Sequence, residues 1–296
     1  MYIDIAFQKF EDHAIFIRGL AKPTLAGYRK NLEFYFRDRG IIRTEDITEE
    51  NVRAFLFNGR AIRGWKPNTY LNHYKSFNVF IKWCIENDCL SSENFMDKVK
   101  KIRVGRLLPK ALKKDDTVRL LDVVHNYPYR FDFIRYRNYA IFAIAIYAGL
   151  RKKEILNLQC VDVSMEGYSL FVREGKGGKD RIIPMSTSLA NILKLYEAER
   201  RRHKKTCPEY FASFNTNRGI SDGCLKHIVD HIKLASGVKF SLHKLRHTFA
   251  TLMVEGGCDI YSLSKMMGHS DITTTTIYLS ASAEHLRGQI FKHPLN

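Results

Sequence analysis

Ser241-Leu-His-Lys-Leu-Arg-His-Thr-Phe-Ala250, followed by Gly268-His-Ser-Asp-Ile-Thr-Thr-Thr-Thr-Ile-Tyr278, is the stretch on which the reading of this 296-residue chain turns. As a helix, its first part sets His243 and Arg246 three positions apart, so an imidazole and a guanidinium share one face and can close on one anion. The second part adds another imidazole, His269, and then a phenol, Tyr278. No carboxylate separates His243 from Arg246, and the set suits a phosphate better than a metal ion. His227 and His231 have the i, i+4 spacing of a metal-binding pair, but no third ligand follows them, and no metal or other cofactor is expected.

Upstream, the run Tyr139 to Leu150 is apolar on every face, which predicts a central buried helix. Arg151 follows it directly in Gly149-Leu-Arg-Lys-Lys-Glu154, a position where packing tolerates a charge only if an anion or a partner meets it. The period then changes. Val161 and Val163, Tyr168-Ser-Leu-Phe-Val172, the turn Gly175-Lys-Gly-Gly178 and Arg181-Ile-Ile-Pro-Met185 predict a small antiparallel sheet of two or three strands, with Lys176 at a hairpin tip. Helices are expected from Asp115 through Val118, Leu120 and Leu121, and at about 188–202, 221–234, 242–255, 260–267, 272–279 and 284–291.

The first hundred residues predict a compact helical unit. Leu25, Tyr28, Leu32 and Phe36 recur at helical spacing after Pro23-Thr24, and Gly40 ends the run. Thr48 opens a short helix through Val52, Phe55 and Leu56; Pro67 opens a third stripe of Tyr70, Tyr74, Phe77 and Ile81. Lys22, Arg29, Lys30, Arg60, Arg63, Lys66 and Lys75 cluster at helix starts and between the second and third of these helices, where long side chains can reach a sugar-phosphate backbone. Lys98 to Lys114 is basic, holds Gly and Pro, and has no apolar stripe, so it predicts a linker. The organisation expected is 1–97 helical domain, 98–114 linker, 115–279 second domain and 280–296 tail helix. The consequence is a clamp with one lobe on each side of a duplex.

Bulk composition agrees with a polyanion as partner. Forty-eight Lys and Arg face 31 Asp and Glu, a formal charge of +17, and the chain is 45% apolar. Both halves share the excess, since residues 1–108 hold 19 basic and 13 acidic side chains. Each phosphate neutralised releases counterions, so such charge favours nucleic acid, although it does not by itself separate DNA from RNA or anionic lipid. The six cysteines lack close Cys-x-x-Cys spacing and predict reduced thiols in a cytoplasmic protein. No secretory leader is legible, and no apolar run approaches the roughly 20 residues that a membrane span needs.

Together Arg151, Lys176, His243, Arg246, His269 and Tyr278 form a kit for phosphoryl transfer without metal. Two guanidiniums can fork onto the non-bridging oxygens and neutralise charge that grows in the transition state. Surrounding cations favour the phenolate of Tyr278, an otherwise weak nucleophile. Lys176 suits protonation of the leaving oxygen; His243 can take the tyrosine proton or hold the phosphate, and His269 can donate to a non-bridging oxygen. Taken singly, each residue also reads as ordinary scaffold; the conjunction is what points to chemistry.

At this point the chain resembles tyrosine recombinases of the Xer-type integrase family. The segments that carry the resemblance are Ala148-Gly-Leu-Arg-Lys-Lys-Glu-Ile-Leu156, Gly175-Lys-Gly-Gly-Lys-Asp-Arg181, His243-Lys-Leu-Arg-His-Thr-Phe-Ala250 and Gly268-His-Ser-Asp-Ile-Thr-Thr-Thr-Thr-Ile-Tyr278. The resemblance implies a mainly α fold with a small antiparallel β-sheet, an N-terminal SAM-like core-binding domain and a C-terminal catalytic domain. It implies Arg151 and Arg246 as the family arginines, Lys176 as general acid, His243 opening the His-x-x-Arg box, His269 as the later histidine and Tyr278 as nucleophile. Strands would be cut one at a time through a 3′-phosphotyrosine, with no ATP or metal.

Glu154 matches a family acidic position and is expected to orient donors. Lys179 and Arg181 are expected on backbone phosphates. His247, about 100° around the helix from Arg246, is expected as a supporting hydrogen-bond partner or a structural histidine.

The partners so implied are double-stranded DNA with paired short recombination sites and a homotetramer on DNA, from a monomer or dimer when free. In some members a second recombinase or a DNA translocase joins them; no membrane is involved. Residues 280–296, with Leu286, Ile290 and Phe291 as an apolar stripe, are expected by this resemblance to dock into a neighbouring protomer, with folding back onto their own subunit as the open alternative. With the helical unit starting almost at Met1, a simple enzyme on short core sites is expected. Two other readings stay open: a relaxing enzyme of the type IB topoisomerase sort, and an inactive DNA-binding accessory protein.

Overall fold

A computed structural model describes residues 1–90, 93–102, 110–173, 180–269 and 271–279. The chain divides into two compact units, Met1–Arg106 and Leu107–Asn296.

The first unit is a bundle of α1 (Ile3–Phe16), α2 (Lys22–Arg39), α3 (Glu49–Ala61) and α4 (Pro67–Glu86). Local chemistry sets the ends. Pro23 and Pro67 sit in first turns, where a missing N–H costs nothing. Thr48 accepts from the Asn51 N–H at the start of α3, and Gly40 closes α2 in the left-handed region. The interior is largely aromatic: Phe10, Tyr35, Phe55, Phe77 and Phe80 are fully buried and meet edge to face or tilted.

The second unit starts with α5 (Lys114–Asn126), which buries Thr117, Leu120, Leu121 and Val124 and leaves Val118 exposed, off the stripe expected for it. The predicted central helix is α6 (Asp132–Tyr147); from Ala140 to Ile146 every residue is buried. It packs against α8 (Thr187–Arg202), α5 and α10 (Leu242–Glu255). After the short α7 (Lys152–Asn157) comes an antiparallel sheet β1-β2-β3, Val163–Ser164, Ser169–Val172 and Arg181–Pro184. Its register pairs Leu170 with Ile183 and Val172 with Arg181, so the buried Leu170 and Ile183 face the core while Ile182 points to solvent. α9 (Asp222–Ser236), α10 (Leu242–Glu255), α11 (Ile260–Met267) and the single turn α12 (Thr273–Thr276) complete the unit.

The architecture is mainly helical with one small antiparallel sheet. Lys176, Lys179, the tail 280–296 and part of the expected linker lie outside the described residues. Among the described residues no helix is long and apolar enough to cross a membrane.

Candidate active site

Two glycines bring the site together. After α6 the chain turns at Gly149 with φ +63°, and a Cβ there would stand 2.3 Å from the Phe249 ring, so only glycine lets α6 approach α10 this closely. Its carbonyl accepts from Arg246 Nη1 at 2.6 Å. At the other side Gly268, φ +61°, caps α11, and its carbonyl accepts from Arg151 Nη2 at 3.3 Å. Arg246 also donates to the Met267 carbonyl. The loop after α11 is thereby tied to both arginines.

Glu154 organises the guanidiniums. Its carboxylate accepts from the Arg151 backbone N–H and from Arg151 Nη1, both at 2.7 Å, which caps α7 and fixes Arg151 at its start. On its other side Arg181 donates to both oxygens at 2.9 and 2.8 Å, and Arg181 Nε reaches the Met266 carbonyl at 2.8 Å. Arg246 stands 3.9 Å away. Burial alone would raise the Glu154 carboxyl, but hydrogen bonds and charge from Arg181 and Arg151 outweigh it and hold the group at about 2. One buried carboxylate thus stands among three cations and neutralises them only in part. This corrects the expectation for Arg181: with its side chain 7% exposed and its guanidinium engaged on both edges, it is a buried partner of Glu154 and does not present itself to a DNA phosphate.

The remaining groups face a cavity of about 240 Å³ lined by Arg151, His243, Arg246, His247, His269 and Tyr278, with Gly268, Thr274 and Ile277. Ser241 caps α10 by accepting from the Lys244 N–H at 3.1 Å, and the helix then sets the buried Arg246, the half-buried His247 and the exposed His243 along this cavity. Thr248 anchors it from behind, accepting from the Leu112 N–H at 2.9 Å.

His269 Nε2 lies 3.3 Å from Arg246 Nη2 and its Nδ1 2.8 Å from Thr275 Oγ1. Because a guanidinium can only donate, Nε2 is the acceptor and Nδ1 carries the proton given to Thr275. The donation expected from His269 to a phosphate oxygen is therefore not set up at Nε2 in this arrangement. Tyr278 is 1% exposed, and its Oη lies 2.6 Å from His247 Nδ1. Burial pushes the phenol up to about 12, against the pull of Arg246 and Arg151.

The same burial, with Arg246 and other nearby cations, lowers His243 and brings His247 and His269 to about 4, so all three imidazoles are neutral at pH 7. Burial and Arg151 likewise lower Arg246. A cavity with two arginines, neutral imidazoles and no carboxylate among its described lining residues is short of negative charge and suits an anion.

The cations expected on DNA in the first unit divide into two groups. Lys22, Lys30, Lys66 and Lys75 are exposed. Arg29 is paired with Glu11, Arg63 with Asp38, and Arg60 donates to the Trp65 carbonyl, so these three are held by local acceptors. Thr275, fully buried beneath His269, and the Glu154–Arg181 pairing were not anticipated from sequence; a run of four threonines and a basic residue in a hairpin give no local sign of either. His227 and His231 stand with ring centroids 4.2 Å apart on α9, and no metal-binding group of three or more side chains occurs among the described residues.

Residues 110–285 match the family model described as the phage integrase family. The chain is 35% identical to the tyrosine recombinase XerA of Pyrococcus horikoshii over 94% of this chain and 90% of that one. It is 30% identical to the tyrosine recombinase XerD of Caulobacter vibrioides, over 94% and 92%. Among solved structures, a lambda integrase dimer bound to a core site superposes with a TM-score of 0.73 at 18% identity, covering 94% of this chain and 95% of that one. XerH site-specific recombinase bound to a palindromic difH substrate gives 0.73 at 18%, covering 96% and 84%. The likeness to these two structures is one of fold.

Proposed function

The chain belongs to the phage integrase family and is a tyrosine site-specific recombinase, and we propose that Tyr278 is the nucleophile with which it cuts and rejoins duplex DNA. The observation that carries this reading is the 240 Å³ cavity in which Tyr278, Arg151, Arg246, His243 and His269 meet. A scissile phosphate there takes up N–H donors that Arg151 and Arg246 keep beyond those engaged with the protein. Oη attacks phosphorus as the bond to the 5′ oxygen breaks, leaving a 3′-phosphotyrosine and a free 5′-hydroxyl. Lys176 protonates the departing oxygen. The phosphotyrosine conserves the energy of the broken bond, so attack by a 5′-hydroxyl from a second site reseals the strand without ATP.

DNA is the partner that the net charge of +17 favours, and the XerH and lambda integrase structures are themselves complexes with DNA. The exposed amines Lys22, Lys30, Lys66 and Lys75 are assigned to backbone phosphates, which predicts affinity that falls steeply with salt. Pairing two sites calls for four protomers on DNA, with residues 280–296 as the exchanged segment. XerA and XerD are named recombinases, which favours neither a relaxing enzyme nor an inactive accessory protein. A nicked suicide duplex tests the reading: Tyr278→Phe binds it with unchanged affinity and forms no covalent adduct. An adduct at normal yield from that variant rejects Tyr278.

A further inference from the structure

A phenol that attacks phosphorus must surrender its proton, and the two histidines of α10 that line the cavity are placed very differently for taking it. His247 Nδ1 lies 2.6 Å from Tyr278 Oη, with the rings 5.8 Å apart between centroids and inclined at 48°. His243 sets its ring edgewise to His247 at 4.3 Å, and among the described residues no hydrogen bond joins it to the phenol. Accepting Tyr278 as the attacking group, we propose that His247 is the catalytic residue that receives its proton. The Oη–H bond breaks onto Nδ1 as Oη bonds to phosphorus, and the bond from phosphorus to the 5′ oxygen breaks with its electron pair, which an acid protonates.

The surroundings make this transfer conditional on DNA. His247 is faced by His243 and Arg246 of its own helix and by Tyr278, while Arg151 from the start of α7 and His269 from the loop after α11 line the same cavity. Burial first, then His243 and Arg246, hold the free imidazole at about 4, and burial holds the phenol at about 12. In that state the hydrogen bond is made and the proton stays on oxygen. A phosphate between the arginines brings the negative charge that the cavity lacks, favouring an imidazolium beside it. In the free protein burial thus keeps the nucleophile protonated, and on DNA His247 takes its proton.

The test is single-turnover cleavage of a suicide duplex between pH 6.5 and 9. For His247→Ala, with DNA affinity and unfolding transition unchanged, cleavage at pH 7 is expected to fall about 100-fold, within the range of general-base effects. Its rate should climb about tenfold per pH unit as the phenol ionises unaided, whereas the parent stays nearly flat. A fluorinated tyrosine at position 278, whose phenol ionises at lower pH, should restore most of the loss in this variant and change the parent little.

Should the alanine variant fold poorly, His247→Asn fills similar space, keeps a hydrogen bond to Oη and cannot carry the proton; it is expected to show the same slope. Parental rate with a flat profile in either variant, or slowing by one factor at every pH with no gain from fluorotyrosine, overturns His247 as acceptor. These outcomes leave Tyr278 in place as nucleophile; an adduct formed by Tyr278→Phe removes it.

Discussion

Replacing Glu154 by Gln removes the charge that holds Arg151, Arg181 and Arg246 together while keeping shape and one acceptor oxygen. The cost follows from the carboxyl itself. A shift from the ordinary 4.5 to about 2 in the folded chain corresponds to about 3 kcal/mol, at about 1.36 kcal/mol for each factor of ten in acidity. With the side chain 6% exposed, solvent screening takes little from this figure, and it agrees with the roughly 3–5 kcal/mol lost when one partner of a buried ion pair is removed. For a unit of this size that is about 6–12 °C in Tm.

The sign fixes the pH dependence. The folded pKa lies below the unfolded one, so the contribution is whole above about 4.5 and is lost as pH falls toward 2. Denaturant unfolding of parent and Glu154→Gln at pH 7, 5, 4 and 3 should therefore show a gap of about 3 kcal/mol at neutral pH that narrows below pH 4.5. A gap below 1 kcal/mol at pH 7, or one that stays constant down to pH 3, refutes the account of Glu154 as the counter-charge of the three arginines.

Gly149→Ala puts a methyl into the Phe249 ring at a left-handed backbone position, and is expected to cost about 2–4 kcal/mol in stability, read by denaturant unfolding, with weakened cleavage because the carbonyl that holds Arg246 moves. Lys176→Ala should slow cleavage about 100-fold or more, and a duplex with a sulfur in place of the bridging 5′ oxygen should restore it, since a thiolate leaves without a proton; no restoration counts against Lys176 as the acid.

Much of the fold is written locally. Pro23, Thr48, Pro67, Ser241 and Gly40 mark helix ends through capping chemistry that acts over a turn, and the apolar run after Tyr139 reads as buried because no face of it is polar. What stayed hidden depends on contacts across the sequence. Arg181 reads as a surface cation of a hairpin, and its burial follows from a carboxylate 27 positions earlier. Arg29 and Arg63 read as free charges, yet Glu11 and Asp38 meet them from 18 and 25 positions away.

His247 shows the same limit within the site. Helical geometry turns it away from Arg246, so the sequence reads it as peripheral to a phosphate held by the arginine. Tyr278 arrives from the segment after α12 and meets it on that side, 31 positions on. Residue types and order point to the chemistry, while the roles proposed for the three histidines depend on contacts made only in the folded chain.

In the proposed reaction the phenol of Tyr278 becomes covalently joined to DNA. Trapping the protein on a nicked suicide duplex, digesting the complex and sequencing the nucleotide-bearing peptide by mass spectrometry addresses it directly. A 3′-phosphate ester is expected on Tyr278 and on no other residue. Attachment at a different side chain, or to the 5′ end of the broken strand, would contradict it.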